Sequence, residues 1–177
     1  MTMKHSNASA NLSFRTGIPD PYALRLGHVT SRWGAIAFAL EGIIWDLAGL
    51  QPGVGHVLTR SLEAGRKREL IQSLLEVVVV SPEVRRCWAR ADDQIALLAP
   101  TADVLAHGRW MPDPGSHHAH EQLIGWPAVS GEAETAVAGT IACTLQDLDR
   151  RTAEADDLLG MLTELAGRLR DRVEEDR

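Results

Sequence analysis

The sequence has little cysteine, few aromatic residues and no long apolar run, and each shortage excludes a class of protein. Two cysteines in 177 residues, Cys87 and Cys143, cannot form a disulfide framework, so we expect a reduced, cytoplasmic setting. No apolar run approaches the roughly 20 residues of a membrane span, and the first residues lack the apolar core of a secretory signal. The net charge of −6 excludes wholesale electrostatic capture of nucleic acid, although it leaves room for a local basic patch.

Helical periodicity is the main signal that the chain does contain. Residues 1–20 are polar and show no period, so we expect a flexible N-terminal segment, followed by a single helical domain over 21–177. The first predicted helix has Asp20 as its cap and Pro21 in its first turn. Its apolar residues recur in steps of three and four until Gly49, which predicts the helix end.

The middle of the chain predicts two more helical stretches. One covers about 54–78, with a kink or short break at Gly65, and we interpret the valine run 77–80 as the end of a buried helix. The next begins at Ser81, which is followed by a proline and an acid in the order that a helix N-terminus favours. Pro100 should bend or end that helix, because proline removes a backbone donor.

The last third of the sequence combines an irregular insertion with a very regular helix. Glycines and prolines interrupt residues 112–139, where the pattern allows a short hairpin around 123–129. The final helix opens with Thr144 as its cap and Asp147 at the capping-box position. Its seven-residue apolar repeat predicts packing along another helix, in the same chain or in a second copy. We therefore expect an all-α bundle of four or five helices, with a long irregular insertion before the last helix.

One short motif carries most of the functional information. We expect a further helical segment over 101–110, which ends in Ala-His-Gly-Arg-Trp with His107 as the second residue of these five. This ending, in a helical protein of this size, resembles the HEPN superfamily over residues 21–172 in helix order and length. In that family a motif helix carries Arg and then a polar residue, and ends in His. The resemblance implies a homodimer of helices and RNA-directed activity, as in metal-independent ribonucleases of toxin–antitoxin and phage-defence systems, with an antitoxin as a protein partner and no cofactor.

The motif departs from the family at its arginine. Counting back from His107, that arginine should fall at residues 100–102, and none of these is basic. Imidazole can transfer a proton near neutral pH, and a guanidinium can hold a phosphate. His107 is therefore the candidate acid–base residue, Asp103 stands in the polar position, and Arg109 can supply the missing charge. The resemblance then implies a degenerate site, and some members of the family serve only as binding or dimerisation modules.

Two other clusters are weaker candidates. The side chains of His117, His118 and His120 are ligand types for zinc, copper or nickel, but no second ligand pair is visible, so a solvated loop is the simpler interpretation. A dense basic run near the break in the second helix can contact a phosphate backbone, or it can be a solvated helix face that neighbouring glutamates neutralise. Its members are Arg60, Arg66, Lys67 and Arg68.

Three functional hypotheses therefore follow from the sequence. The first is a HEPN-like protein that acts on RNA, or descends from proteins that do, with a degenerate site. The second is a non-catalytic helical dimerisation or adaptor module, which the acidic net charge and the missing arginine favour. The third is metal binding through the loop of His117, His118 and His120. None of the three involves a membrane.

Overall fold

The protein is a bundle of helices with a small sheet at one end. A computed structural model describes residues 17–112, 123–126 and 141–175, and this part contains five helices and three strands. The helices are α1 (Asp20–Ala48), α2 (Pro52–Thr59), α3 (Ala64–Val77), α4 (Pro82–His107) and α5 (Leu145–Glu175); the strands are β1 (Arg109–Pro112), β2 (Leu123–Trp126) and β3 (Ile141–Cys143). The predicted all-α bundle is confirmed. No helix in these ranges is long and apolar enough to cross a membrane.

The main core lies between α1, α3, α4 and α5. The repeat of α5 is buried inside this chain, so the helix that it packs along belongs to the same molecule. The buried apolar residues of α5 are Leu148, Ala155, Leu158, Leu162, Leu165 and Leu169. Because this repeat is already covered, it is not a free surface for a second copy.

The helix ends largely follow the local chemistry of the sequence. Thr144 and Asp147 form the predicted capping box, in which the Asp147 N–H donates to the Thr144 hydroxyl and the Thr144 N–H donates to the Asp147 carboxylate. Gly49 has a φ of 63°, a left-handed conformation that ends α1 as predicted. Pro19, and not Asp20, stands at the N-cap of α1, so Asp20 interacts with the helix dipole from the first turn.

Several boundaries in the middle of the chain differ from those expected. Of the two alternatives at Pro100, an end to the helix is wrong: α4 continues through Pro100 to His107, because Pro100 is on an exposed side and the carbonyl that loses its donor, on Ala96, belongs to an exposed residue that water can reach. The helix therefore ends before Trp110, which lies in β1. The valine run is not a buried helix end, because α3 ends at Val77 and Val78 is extended.

The break in the second helical stretch also differs from the prediction. It covers residues 60–63, and Gly65 is the second residue of α3. In the valine run, Val77 and Val79 are exposed while Val78 and Val80 pack against the core. This alternation is that of an extended segment, and it agrees with the preference of β-branched residues for extended backbone.

The sheet was not predicted. Strand β2 pairs antiparallel with both β1 and β3, so the expected hairpin within 123–129 is replaced by pairing to segments before and after it. Its buried residues Leu123 and Cys143 join a second core cluster with residues of α1, α4 and α5. The structure does not describe residues 1–16, 113–122 and 127–140. These ranges contain most of the predicted flexible N-terminal segment, most of the irregular insertion, and His117, His118 and His120.

Candidate interaction surface

The three residues of the HEPN-like motif lie at one end of the bundle. Asp103 and His107 are one turn apart on α4 and are both exposed, and Arg109 is exposed on the adjoining strand β1. None of the three forms an ion pair or a side-chain hydrogen bond with another described residue. All three side chains are therefore exposed and unpaired as far as the described residues are concerned.

The basic run does not form one patch of free cations. Arg68 makes two hydrogen bonds to Asp92 on α4, at 2.6 and 3.0 Å, and Arg66 pairs with Glu69 in its own helix. The hydrogen bonds to Asp92 raise the pKa of Arg68. Lys67 is buried, so its ammonium group cannot reach a phosphate backbone in this conformation. Arg60 is exposed at the end of α2.

A buried polar cluster joins α1, α2 and α3. Its centre is Glu41, which is 5% exposed and accepts from the Lys67 ammonium at 2.7 Å through one oxygen. The second oxygen lies 3.2 Å from Nδ1 of His56, which must carry the hydrogen because an ionised carboxylate only accepts. Burial alone would raise the pKa of Glu41, but the hydrogen bonds from Lys67 and His56 and the lysine charge outweigh burial, so this pKa lies below its ordinary value.

Helix α2 packs against α1 through small residues. The Trp45 indole N–H donates to the Thr59 hydroxyl at 3.0 Å, and that hydroxyl donates to the Gly55 carbonyl at 2.9 Å. A Cβ at Gly55 would lie 2.4 Å from the Trp45 ring, so only glycine allows this approach. Gly55 and Thr59 are one turn apart and are the buried residues of α2. The inward face of this helix is therefore small and hydrogen-bonded.

The outward face of α2 is apolar, which reverses the usual orientation of a surface helix. Val54, Val57 and Leu58 are 56%, 64% and 58% exposed. Phe38 of α1 is 59% exposed and packs edge-on against Trp45, whose other neighbour is His56 of α2. We call Phe38, Val54, Val57 and Leu58 the α2 patch. Several large apolar side chains exposed on one short helix and beside it are typical of an interaction site.

Apolar periodicity does not predict this surface. Val54 and Leu58 belong to the helical stretch expected over about 54–78, where apolar residues ordinarily predict burial. A usable signal was the pair Gly55 and Thr59, because small residues one turn apart can mark the side on which a helix approaches its neighbour closely. Glu41 also stands out in the sequence, as a single charge within the apolar stretch 35–45.

No metal centre is visible in the ranges that the structure covers, where no group of three His, Cys, Asp or Glu side chains could hold an ion. His117, His118 and His120 lie outside these ranges, so the metal-binding hypothesis stays a prediction.

The fold and this surface together define a small helical bundle with an exposed apolar helix. Comparisons with protein-family models, with curated proteins and with solved structures found no match to the chain. The resemblance to the HEPN superfamily therefore stays a prediction.

Proposed function

We propose that this protein is a non-catalytic interaction module that binds a protein partner through the α2 patch. The observation that carries the proposal is the orientation of α2, which turns Gly55 and Thr59 inward and three aliphatic side chains outward. Within the chain, those aliphatic side chains remain largely in contact with water. A partner that covers them removes that contact.

The energetics favour such a partner. Burying a valine, leucine or phenylalanine side chain contributes roughly 1.5–3 kcal/mol, so covering four that are already half exposed contributes several kcal/mol. The hydrogen bonds of Trp45 and Thr59 and the pairing of His56 with Glu41 hold α2 on α1 before any partner arrives. Binding then requires little ordering of the helix, which lowers the entropic cost of association.

A pair of charge substitutions tests this proposal. Val57→Glu places a carboxylate in the α2 patch, while Leu97→Glu does the same at an exposed leucine on α4 and serves as the matched control. We expect a partner isolated with the wild-type chain, then purified and recombined, to bind wild type and Leu97→Glu and to bind Val57→Glu at least about tenfold more weakly. Equal binding to all three proteins would contradict the role of the patch.

A second candidate function is the HEPN-like action on RNA. The observation that favours it is that His107, Asp103 and Arg109 are all exposed at one end of the bundle, without partners among the described residues. In this candidate mechanism His107 transfers the proton between the 2′-hydroxyl and the leaving group, and Arg109 holds the phosphate. A toxin of this kind would also have an antitoxin as its partner.

An RNA-cleavage assay tests this second candidate. Purified protein is incubated with a mixed RNA pool, with and without EDTA, beside a His107→Ala control. Cleavage that survives EDTA and disappears in the variant would support it. Cleavage that EDTA abolishes would point to His117, His118 and His120, and no cleavage would contradict this candidate and favour the interaction module.

A further inference from the structure

We propose that the cleft between α3 and α4 binds a small zwitterion of dipeptide size, with its carboxylate at Arg85 and its ammonium group at Asp93. The cleft has a volume of about 300 Å³, and its lining residues all belong to α3 and α4, so it is separate from the α2 patch. This volume lies at the lower end of the range for small-molecule sites. The inference therefore adds a ligand site that does not depend on the interaction module.

The cleft lies where α3 and α4 pack only sparsely against each other. Each of the two helices makes more extensive contact with α1 than with the other. The innermost lining residues are Leu75 of α3 and Trp88 of α4, which are both buried, and Ala89 lies beside them. The floor of the cleft is therefore apolar, and it favours a ligand with an apolar part to bury.

One face of α4 places opposite charges at the two ends of the cleft. Arg85, Trp88, Ala89 and Asp92 have the spacing of side chains that share one face of a helix, and all four line the cleft. Arg85 lies at one end of this row. Asp92 and its neighbour Asp93 lie about two turns further along the helix, at the other end.

The ion pairs within the chain leave one cation and one anion unpaired in the cleft. Asp92 accepts two hydrogen bonds from Arg68, at 2.6 and 3.0 Å, and these two groups neutralise each other. Arg85 and Asp93 are exposed, and neither forms an ion pair or a side-chain hydrogen bond with another described residue. The cleft therefore complements a ligand that carries one charge of each sign.

The amide of Gln72 adds a hydrogen-bond donor between these charges. The indole N–H of Trp88 donates to the carbonyl oxygen of Gln72 at 3.2 Å. Because an indole N–H can only donate, this contact fixes which end of the amide faces Trp88, and the NH₂ group of Gln72 keeps its capacity to donate. Gln72 is exposed and lines the cleft. A carbonyl group in the middle of the ligand would match this donor.

The distance between the unpaired charges selects the length of the ligand. Arg85 and Asp93 are eight residues apart, which corresponds to about 12 Å along the axis of α4. A charge-assisted contact of about 3 Å at each end leaves roughly 6 Å between the ligand's own charges. Two residues of an extended peptide span about 7 Å, whereas an α-amino acid carries both charges on one carbon. A free dipeptide therefore supplies the charges, the central carbonyl and an apolar side chain for the floor.

A titration with glycyl-leucine, followed by NMR at the indole N–H of Trp88, tests the site. We expect a saturable shift with a dissociation constant on the order of 0.1–1 millimolar, and binding at least about tenfold weaker in Arg85→Gln and in Asp93→Asn. Arg86→Gln is the matched control, because Arg86 pairs with Glu83 and does not line the cleft, so this variant should bind like wild type. All three variants change exposed side chains and should keep the urea midpoint of wild type.

Two altered ligands test the class of molecule. N-acetylglycyl-leucine lacks the ammonium group and leucine lacks the charge separation, so each should bind at least about tenfold more weakly than glycyl-leucine. Equal binding of either one would overturn the assignment of a free dipeptide. No saturable shift with glycyl-leucine up to about 20 millimolar, or equal binding to wild type and Arg85→Gln, would overturn the site itself.

The variant Val57→Glu separates this inference from the proposed function. Because α2 lines no part of the cleft, Val57→Glu should bind glycyl-leucine like wild type while it loses the protein partner. Loss of glycyl-leucine binding in Val57→Glu would contradict the independence of the two sites. A failure of the dipeptide site would leave the interaction module standing.

Discussion

Replacing Lys67 with methionine perturbs the buried cluster that fastens α3 to α1. Lys67 is 3% exposed, and its ammonium group donates to Glu41 at 2.7 Å. Methionine has nearly the same length but no charge, so the substitution leaves the Glu41 carboxylate buried without the lysine charge. Breaking one side of a buried ion pair costs about 3–5 kcal/mol, and we expect the free energy of unfolding to fall by that amount at pH 7.

The double variant Glu41→Leu/Lys67→Met separates the ion pair from simple packing. It removes both charges and keeps two apolar side chains of similar volume, a change that is often close to neutral in buried pairs. We therefore expect the double variant to lie within about 1–2 kcal/mol of wild type in urea-induced unfolding. A single variant that loses less than about 1 kcal/mol, or a double variant as unstable as the single one, would refute the reasoning.

The pH dependence of the free energy of unfolding tests the same ion pair. The pKa of Glu41 is lower in the folded chain than its ordinary value of 4.5, so its stabilising contribution is complete above about pH 4.5 and is lost as the pH falls through the folded pKa. In Lys67→Met the lysine no longer stabilises the ionised carboxyl group, so burial should raise the pKa of Glu41 above its ordinary value. Protonation of Glu41 then removes the buried unpaired charge in the variant. The difference in the free energy of unfolding between wild type and Lys67→Met should therefore become smaller below about pH 5. A difference between the two proteins that does not change with pH would contradict the role of Lys67 in keeping Glu41 ionised.

Three further substitutions or reactions follow from the described contacts. Gly55→Ala should lower the free energy of unfolding by about 1–3 kcal/mol because its Cβ meets the indole beneath α2, whereas Gly53→Ala in the same helix meets nothing and should be tolerated; equal urea midpoints would contradict the close approach. Thr144→Ala should cost about 1 kcal/mol through the lost capping box of α5, measured by thermal unfolding, and an unchanged melting temperature would show that the cap contributes nothing. Cys143 is buried, and burial, with a smaller contribution from a nearby carboxylate, raises its pKa to about 11. A thiol reagent should therefore label Cys87 in the folded protein and Cys143 only after unfolding. Prompt reaction of both thiols would contradict this packing.

The long helices could be predicted from the sequence because their signals are local. The capping residues Thr144 and Asp147 and the stop at Gly49 act within a few residues of the backbone that they stabilise. The sequence left open whether α4 ends at Pro100, because the choice depends on the packing of the opposite face of α4 against the core. The sheet has strands of three or four residues, and its pairings join segments far apart in the chain.

The candidate site was harder to predict, because its contacts join residues that are far apart in the chain. His107 could be placed at a helix end from its sequence neighbours. The pairing of Lys67 with Glu41 spans 26 residues, so a local basic run gave no sign that one of its members is buried. The outward orientation of α2 depends on how Trp45 packs over Gly55, which is a tertiary contact that apolar periodicity alone does not reveal.

Photo-crosslinking at position 57 tests the α2 patch most directly. Val57→Cys and, as a control, Leu97→Cys are prepared in a Cys87→Ala background, where Cys143 stays buried, and each is labelled with a maleimide that carries a benzophenone group. If a protein partner covers the α2 patch, irradiation of the complex with that purified partner should crosslink the partner to position 57 and not to position 97. Equal crosslinking at the two positions, or none at position 57 in a chain that binds the partner, would contradict the account.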